Sequence, residues 1–274
     1  MVSNAQYARE CLLRALNRQK NKFELLIIDN TSGTFRSAAR AYNSAVSKAI
    51  GDYFVFIHQD VFFRNKNWIK QIEDQMSTIP DTAIAGIVGM QKPAYINQLE
   101  IWLRYFLQVK IRNGSLWYST YGRGNLLIGK NCAKWPGKVT TEPVPVQTVD
   151  ELLLVIPQRV FGANKFDEKT CDGWHLYGVD FSLSASKKGF KTYVLPAQVI
   201  HYSEGKIDRQ YHQVLQKLLE KHEDETIINT TCGLYPTKKD MVDLFWEPQH
   251  NIIPYVRKNG SKSIFDFLSM FWTF

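Results

Sequence analysis

Apolar positions along the chain change period several times, and the changes mark out elements. Tyr7, Cys11, Leu12 and Leu16 recur at helical spacing after Ser3 and Asn4, either of which can cap a first helix. Phe23 to Ile28 is a short apolar run that reads as a buried strand, and it ends on the polar cluster Asp29-Asn30-Thr31-Ser32-Gly33. Ser37 to Ile50 then places Ala38, Ala41, Tyr42, Ala45, Val46 and Ala49 on one helical face, small enough to sit close against a sheet. Gly51-Asp52 closes that helix. Tyr53 to Ile57 is uncharged, aromatic and β-branched, the pattern of a strand covered on both faces, and it stops at His58-Gln59-Asp60. Strand, helix and strand with a connection of this length predict a βαβ unit with parallel strands.

Further on, Trp68 to Met76 reads as a helix and Thr82 to Met90 as a strand broken by Gly86 and Gly89. The texture changes after Gln91. Leu99 to Ile111 is aromatic and amphipathic, whereas Asn113 to Pro145 carries glycines and prolines without a period, as a functional loop or lid would. Gln147 to Pro157 returns to strand character. Phe181 to Lys188 predicts a short helix capped by Gly189, Lys191 to Leu195 a strand that Pro196 to Ile200 carries to His201, and Ile207 to His222 an amphipathic helix. Residues 226–274 hold Trp246, Trp272 and several phenylalanines but no clear period. The predicted fold is α/β: a Rossmann-type mixed sheet flanked by helices, with a helical and irregular C-terminal extension. Residues 1–205 form the main domain, with halves 1–90 and 91–205, and 206–274 the extension.

A hydrophobic content of 45% and an aromatic content of 13% mark a folded globular chain. The formal charge of +8 favours anionic partners. Lysines and arginines are scattered along the chain and do not gather on one predicted face, which argues against nucleic acid. Cys11, Cys132, Cys171 and Cys232 form no CxxC pair, so neither a zinc knuckle nor a disulfide framework is expected and reduced thiols in the cytoplasm fit. No apolar run approaches twenty residues and Met1 opens no signal-peptide pattern, so no membrane span or export is expected.

The candidate chemistry lies where buried strands end. A carboxylate and an imidazole there are costly to desolvate and should face a cavity, a cation or a polar ligand. Asp60 could hold a divalent cation, or simply be a solvated carboxylate at a strand end. His201 could ligate through a neutral imidazole or serve the structure alone. Asp180 stands where a carboxylate caps a helix. Asp29 and Asn30 could accept hydrogen bonds from a nucleotide or form an Asx turn.

Three stretches in this order carry a resemblance: FELLIIDN, AARAYNSAVSKAIGDYFVFIHQDV and FDEKTCDGWHLYGVDFSLSASKKGFKTYVLPAQVIHYSEG. From about Ala5 to Gly205 the chain resembles the family-2-like glycosyltransferases of the GT-A fold, in particular a bacterial branch with an HQDV signature. The resemblance implies transfer of a sugar from a nucleoside-diphosphate sugar, UDP-sugars favoured, to an acceptor hydroxyl. It further implies inversion, dependence on Mn2+ or Mg2+, and a place in bacterial polysaccharide or glycoconjugate synthesis. It assigns the catalytic base to Asp180 and the metal to Asp60 and His201. Donor binding is expected of Asp29, Asn30, His58, Gln59 and Asp60; Trp174, His175 and Tyr177 could stack on an acceptor sugar or belong to the core, and Asp150 and Glu151 could touch the acceptor or the donor sugar. The acceptor would be a glycan, glycolipid or glycoprotein.

Two departures stand out. His58 occupies the place of the first carboxylate of the family's DxD-type motif, and only Val2-Ser3-Asn4 remains of its first strand. They motivate an alternative, a non-catalytic nucleotide-sugar or glycan-binding protein on a degenerate transferase scaffold. The basic, aromatic segment after Asp240 suggests contact with a membrane surface, at the inner membrane face, a homo-oligomer interface, or packing onto the protein's own core.

Overall fold

The computed structural model describes residues 1–93, 115–203, 205 and 207–237. The central sheet has five strands in the order β1-β10-β3-β11-β8: β1 (Tyr53–Ile57), β10 (Leu153–Pro157), β3 (Thr82–Gly86), β11 (Lys191–Val194) and β8 (Val144–Val146). It is mixed: only β3 and β11 run parallel, while β1 with β10, β10 with β3, and β11 with β8 are antiparallel. Side-chain alternation along β10 explains its depth. Leu154 and Ile156 enter one core, Leu153 and Val155 the other, and all four are 0% exposed.

Helices cover both faces. One core gathers helix α2 (Ala38–Val46), α6 (Tyr177–Ser186) and α7 (Arg209–Lys221), with Tyr42 packed edge-on against Phe56 at 4.8 Å. The alanine face of α2 permits this close approach, and Ser37 caps it by accepting from the Arg40 N–H. The other core holds α3 (Trp68–Ser77) and the N-terminal helical run α1, which comprises Ala5–Ala8, a π-helical Arg9–Leu13 and Arg14–Leu16. Asn4, not Ser3, caps α1 by accepting from the Tyr7 N–H.

Among the described residues, three smaller sheets accompany the central one. β2 (Val61–Phe62), β12 (Val199–His201), β6 (Leu126–Ile128) and β7 (Ala133–Lys134) form one; β5 (Gly122–Gly124), β4 (Val88–Met90) and β9 (Thr148–Val149) form another. The stretch up to Pro145 is thus less irregular than its composition suggests, with helix α4 (Ser115–Tyr121) and several strands of two or three residues. Helix α5 (Gln158–Ala163) follows β10 directly. The apparently aperiodic tail begins with a hairpin, β13 (Ile227–Thr230) and β14 (Gly233–Pro236). Ile228 shares a core with α2, α6 and α7, so packing continues well past residue 205. The segments 99–111 and 240–274, with their expected amphipathic and membrane or oligomer roles, lie outside the described residues.

One expectation fails in an informative way. Phe23 to Ile28 forms no strand and hence no parallel βαβ unit with β1. Among the described residues its backbone meets a neighbour at its end, where the Val2 N–H donates to the Ile28 carbonyl and the Asn30 N–H to the Val2 carbonyl, both at 2.8 Å. Phe23, Leu25 and Leu26 line a groove of about 420 Å³ that separates them from β1, whose outer edge has no ladder partner among the described residues, and Ile27 is exposed as well. A strand needs ladder partners to satisfy its amides, and here β1 lies across the groove.

Candidate functional site

The chain passes from one sheet to another at the end of β1. The His58 N–H donates to the Leu152 carbonyl at 3.0 Å and the Val61 N–H to the His58 carbonyl at 3.3 Å, so His58-Gln59-Asp60-Val61 makes a tight turn into β2. β2 then pairs antiparallel with β12, Val61 opposite His201, and the Tyr202 N–H donates to the Asp60 carbonyl at 3.1 Å. Backbone pairing thereby brings three side chains together. His58, Asp60 and His201 offer ligand atoms that all lie within 4.8 Å of one another, with His201 Nε2 3.4 Å from Asp60 Oδ1.

The electrostatics suit a cation. Burial holds His58 down to about 4, with His201 adding to the effect and the charges of Asp60 and Asp150 opposing it. Burial by itself would raise the Asp60 carboxyl, but hydrogen bonding and charge from His201, with help from Ser203 and His58, bring it well below the usual range. Burial likewise lowers His201, and the adjoining Asp60 outweighs it to give a net rise. At neutral pH the site therefore presents a neutral His58 and an ionised Asp60, forms that ligate metals. Two imidazoles and one carboxylate suit a first-row transition ion better than Mg2+, which prefers oxygen donors and gives up its waters reluctantly.

A second polar group adjoins this cluster where β9 turns into β10. Asp150 is fully engaged: Oδ1 accepts from the Leu152 N–H at 3.0 Å and Oδ2 from the Thr231 hydroxyl at 2.5 Å. Glu151, half-buried, directs Oε1 at the Gly178 N–H, 3.2 Å away in the first turn of α6. Leu176 precedes that turn with φ of 64°, a left-handed conformation rare for a branched side chain, and it presents the helix N-terminus to Glu151. Gly178 favours this approach. A Cβ there would lie 3.3 Å from Glu151 Cγ and as close to both Leu154 methyls. Burial and the neighbouring Asp150 push the Glu151 carboxyl up to about 8, against the opposing N–H groups of Val179 and Gly178. Tyr177 links the two groups: its ring is buried against Tyr42 and Phe166, and its hydroxyl lies 3.5 Å from His58 Nε2 and 3.4 Å from the Glu151 carbonyl.

Several residues named from the sequence lie elsewhere. Asp180 points into closed interior: its side chain is 3% exposed, 2.8 Å from His222 Nε2 and 2.7 Å from Lys221 Nζ. Lys221 also bonds Asp167 at 2.9 Å, so Asp180 anchors the end of α7 to α6 and has no surface on which to meet an acceptor. The side chain of Gln59 is likewise occupied, its Oε1 accepting from the Ser3 and Asn4 N–H groups, both at 2.9 Å, and its Nε2 donating to the Ser3 hydroxyl. Asn30 is buried and bonded to both backbone atoms of Phe35, so it shapes its own loop. Asp29 stays exposed in an Asx-type turn, its carboxyl lowered by the backbone N–H and hydroxyl of Thr31. Trp174 and His175 are half-buried and turn toward α7. The Trp174 N–H reaches Gln210 Oε1 at 3.3 Å, and His175 lies 3.4 Å from Asp208 with its ring against Tyr211.

Comparison with known proteins gives this arrangement a context. A family model described as glycosyltransferase-like matches residues 1–222. No curated protein matches the chain. Among solved structures, the mannosyltransferase PcManGT from Pyrobaculum calidifontis, in complex with GDP-Man and Mn2+, is similar with a TM-score of 0.50 at 12% identity. That alignment covers 98% of this chain and 76% of the other. The chain belongs to the glycosyltransferase-like family and is a transferase enzyme.

Proposed function

We propose that the protein transfers a sugar from a nucleoside-diphosphate sugar to the hydroxyl of a glycan or glycoconjugate, with a divalent cation held by His58, Asp60 and His201. The observation that carries this reading is the convergence of those three side chains where β1 and β12 end. A cation bound there neutralises the charge that grows on the departing diphosphate. Asp60 would supply the anionic ligand, His58 a neutral nitrogen from the turn after β1, and His201, held on β12 by pairing with β2, a nitrogen freed when the cation displaces its proton. Tyr177, its ring locked in the core, orients the His58 imidazole through its hydroxyl. A single displacement at the anomeric carbon gives inversion.

Manganese titration followed by electron paramagnetic resonance, with and without UDP or GDP, tests the assignment. Asp60→Asn should weaken Mn2+ binding by about 100-fold or more, since it removes the sole charged ligand of the three; second-shell changes alone typically cost 10 to 100-fold. Unchanged Mn2+ affinity in that variant would remove the site. UDP-sugars lead the donor panel, and GDP-mannose joins it because the similar fold was solved with that donor.

A further inference from the structure

We infer that Glu151 is the general base of the transfer, taking the proton of the attacking hydroxyl. This rests on the reading of the site given above. Four carboxylates come into question for the role, and geometry separates them. Asp60 belongs to the cation cluster, Asp150 has both oxygens bonded to Leu152 and Thr231, and Asp180 is enclosed by Lys221 and His222. Glu151 is half-buried and joined to the cluster through Tyr177, whose hydroxyl lies 3.4 Å from the Glu151 carbonyl and 3.5 Å from His58 Nε2, and the absent side chain of Gly178 leaves room for the Glu151 Cγ. The N–H at the start of α6 fixes Oε1, which orients the carboxylate without neutralising it.

The step balances as a single displacement. The acceptor O–H bond breaks with its proton passing to the Glu151 carboxylate, and the acceptor oxygen bonds the anomeric carbon. The bond from that carbon to the diphosphate breaks, and its electron pair leaves with the nucleoside diphosphate. A base works best when its pKa lies near the operating pH, and burial beside Asp150 pushes Glu151 up to about 8. Among the described residues, the titratable groups that bear on it include Asp150 from its own turn, Tyr177 from α6, Tyr42 from α2, and the thiols Cys171 and Cys232. Of these, Asp150 is the only other carboxylate.

The test is donor hydrolysis by the full chain in Mn2+, with water in place of the acceptor, using UDP-glucose, UDP-galactose and GDP-mannose. Glu151→Gln keeps an acceptor for the Gly178 N–H, so it should leave the thermal midpoint and nucleotide binding near those of the unaltered protein. Hydrolysis should fall by about 100-fold or more, within the range of general-base effects. In the unaltered protein the rate should rise with pH toward about 8, because the deprotonated form is the active one, and this rise should vanish in the variant. Should Glu151→Gln not fold, Glu151→Asp, with a shorter carboxylate, should retain the pH-dependent rise at a reduced rate. Hydrolysis within about threefold of normal, or an unaltered pH profile in Glu151→Gln, would exclude Glu151 while leaving the transferase reading intact. If the unaltered protein neither binds nucleotide nor hydrolyses any donor, the transferase reading itself falls, and Glu151 with it.

Discussion

Phe23 to Ile28 and Leu153 to Pro157 carry almost the same apolar pattern and meet opposite fates. The second is the middle of a ladder, flanked by β1 and β3, and contributes to both cores. The first stands beside a groove with four large apolar side chains 39 to 55% exposed. Hydrophobicity marks a segment as able to be buried. Whether it becomes a strand depends on a neighbouring edge at hydrogen-bonding distance.

The largest expected contrast is in amide exchange. The amides of 153–156 should open only on global unfolding, whereas those of 23–27 should exchange almost freely, a gap of about four orders of magnitude or more. Comparable protection in both segments, read by mass spectrometry, would mean that the groove closes in solution. Next in size, Leu154→Ala should cost about 4 kcal/mol, because the side chain is fully buried at the centre of the sheet. Urea denaturation measures this directly. Asp180→Ala should cost about 3 kcal/mol by stranding His222 and Lys221, at the low end for a broken buried pair because Lys221 is 32% exposed. The remaining folded protein should keep its hydrolysis rate, and a specific loss of rate at normal stability would return Asp180 to the chemistry. The smallest effect belongs to Leu26→Ala, about 0.5 kcal/mol or less, as for an exposed position. A cost near that of Leu154→Ala would erase the contrast between the two segments.

Much of the fold was legible in the sequence because its longer elements have clear periods. β1, α2, α3, β11 and α7 lie close to their expected positions, and of Asp60, Asp180 and His201, expected around one crevice, Asp60 and His201 lie together while Asp180 pairs with Lys221 and His222. His58, noticed as a departure from a carboxylate motif, completes that group. Asp180 was harder to place. Every residue from Tyr177 to Leu183 is buried, so α6 has no polar face by which its rotation could be judged. Its neighbours Lys221 and His222 come from a helix far along the chain, and pairing of that kind leaves no local trace. Glu151 was visible only as a charged residue before an apolar run, and its importance appears with Gly178 opposite it. The hairpin β13–β14 lacks an Asn-Gly turn, having Thr231-Cys232 at its tip, and the strands between 122 and 146 are too short to show alternation.

The cation cluster owes its shape to main-chain pairing: Val61 faces His201 across two strands, and the Tyr202 amide clasps the Asp60 carbonyl. Binding of a cation there would consequently be separable from folding. A chelator should strip the centre and leave a scaffold ready to be recharged, so different ions can be compared on one preparation without refolding it.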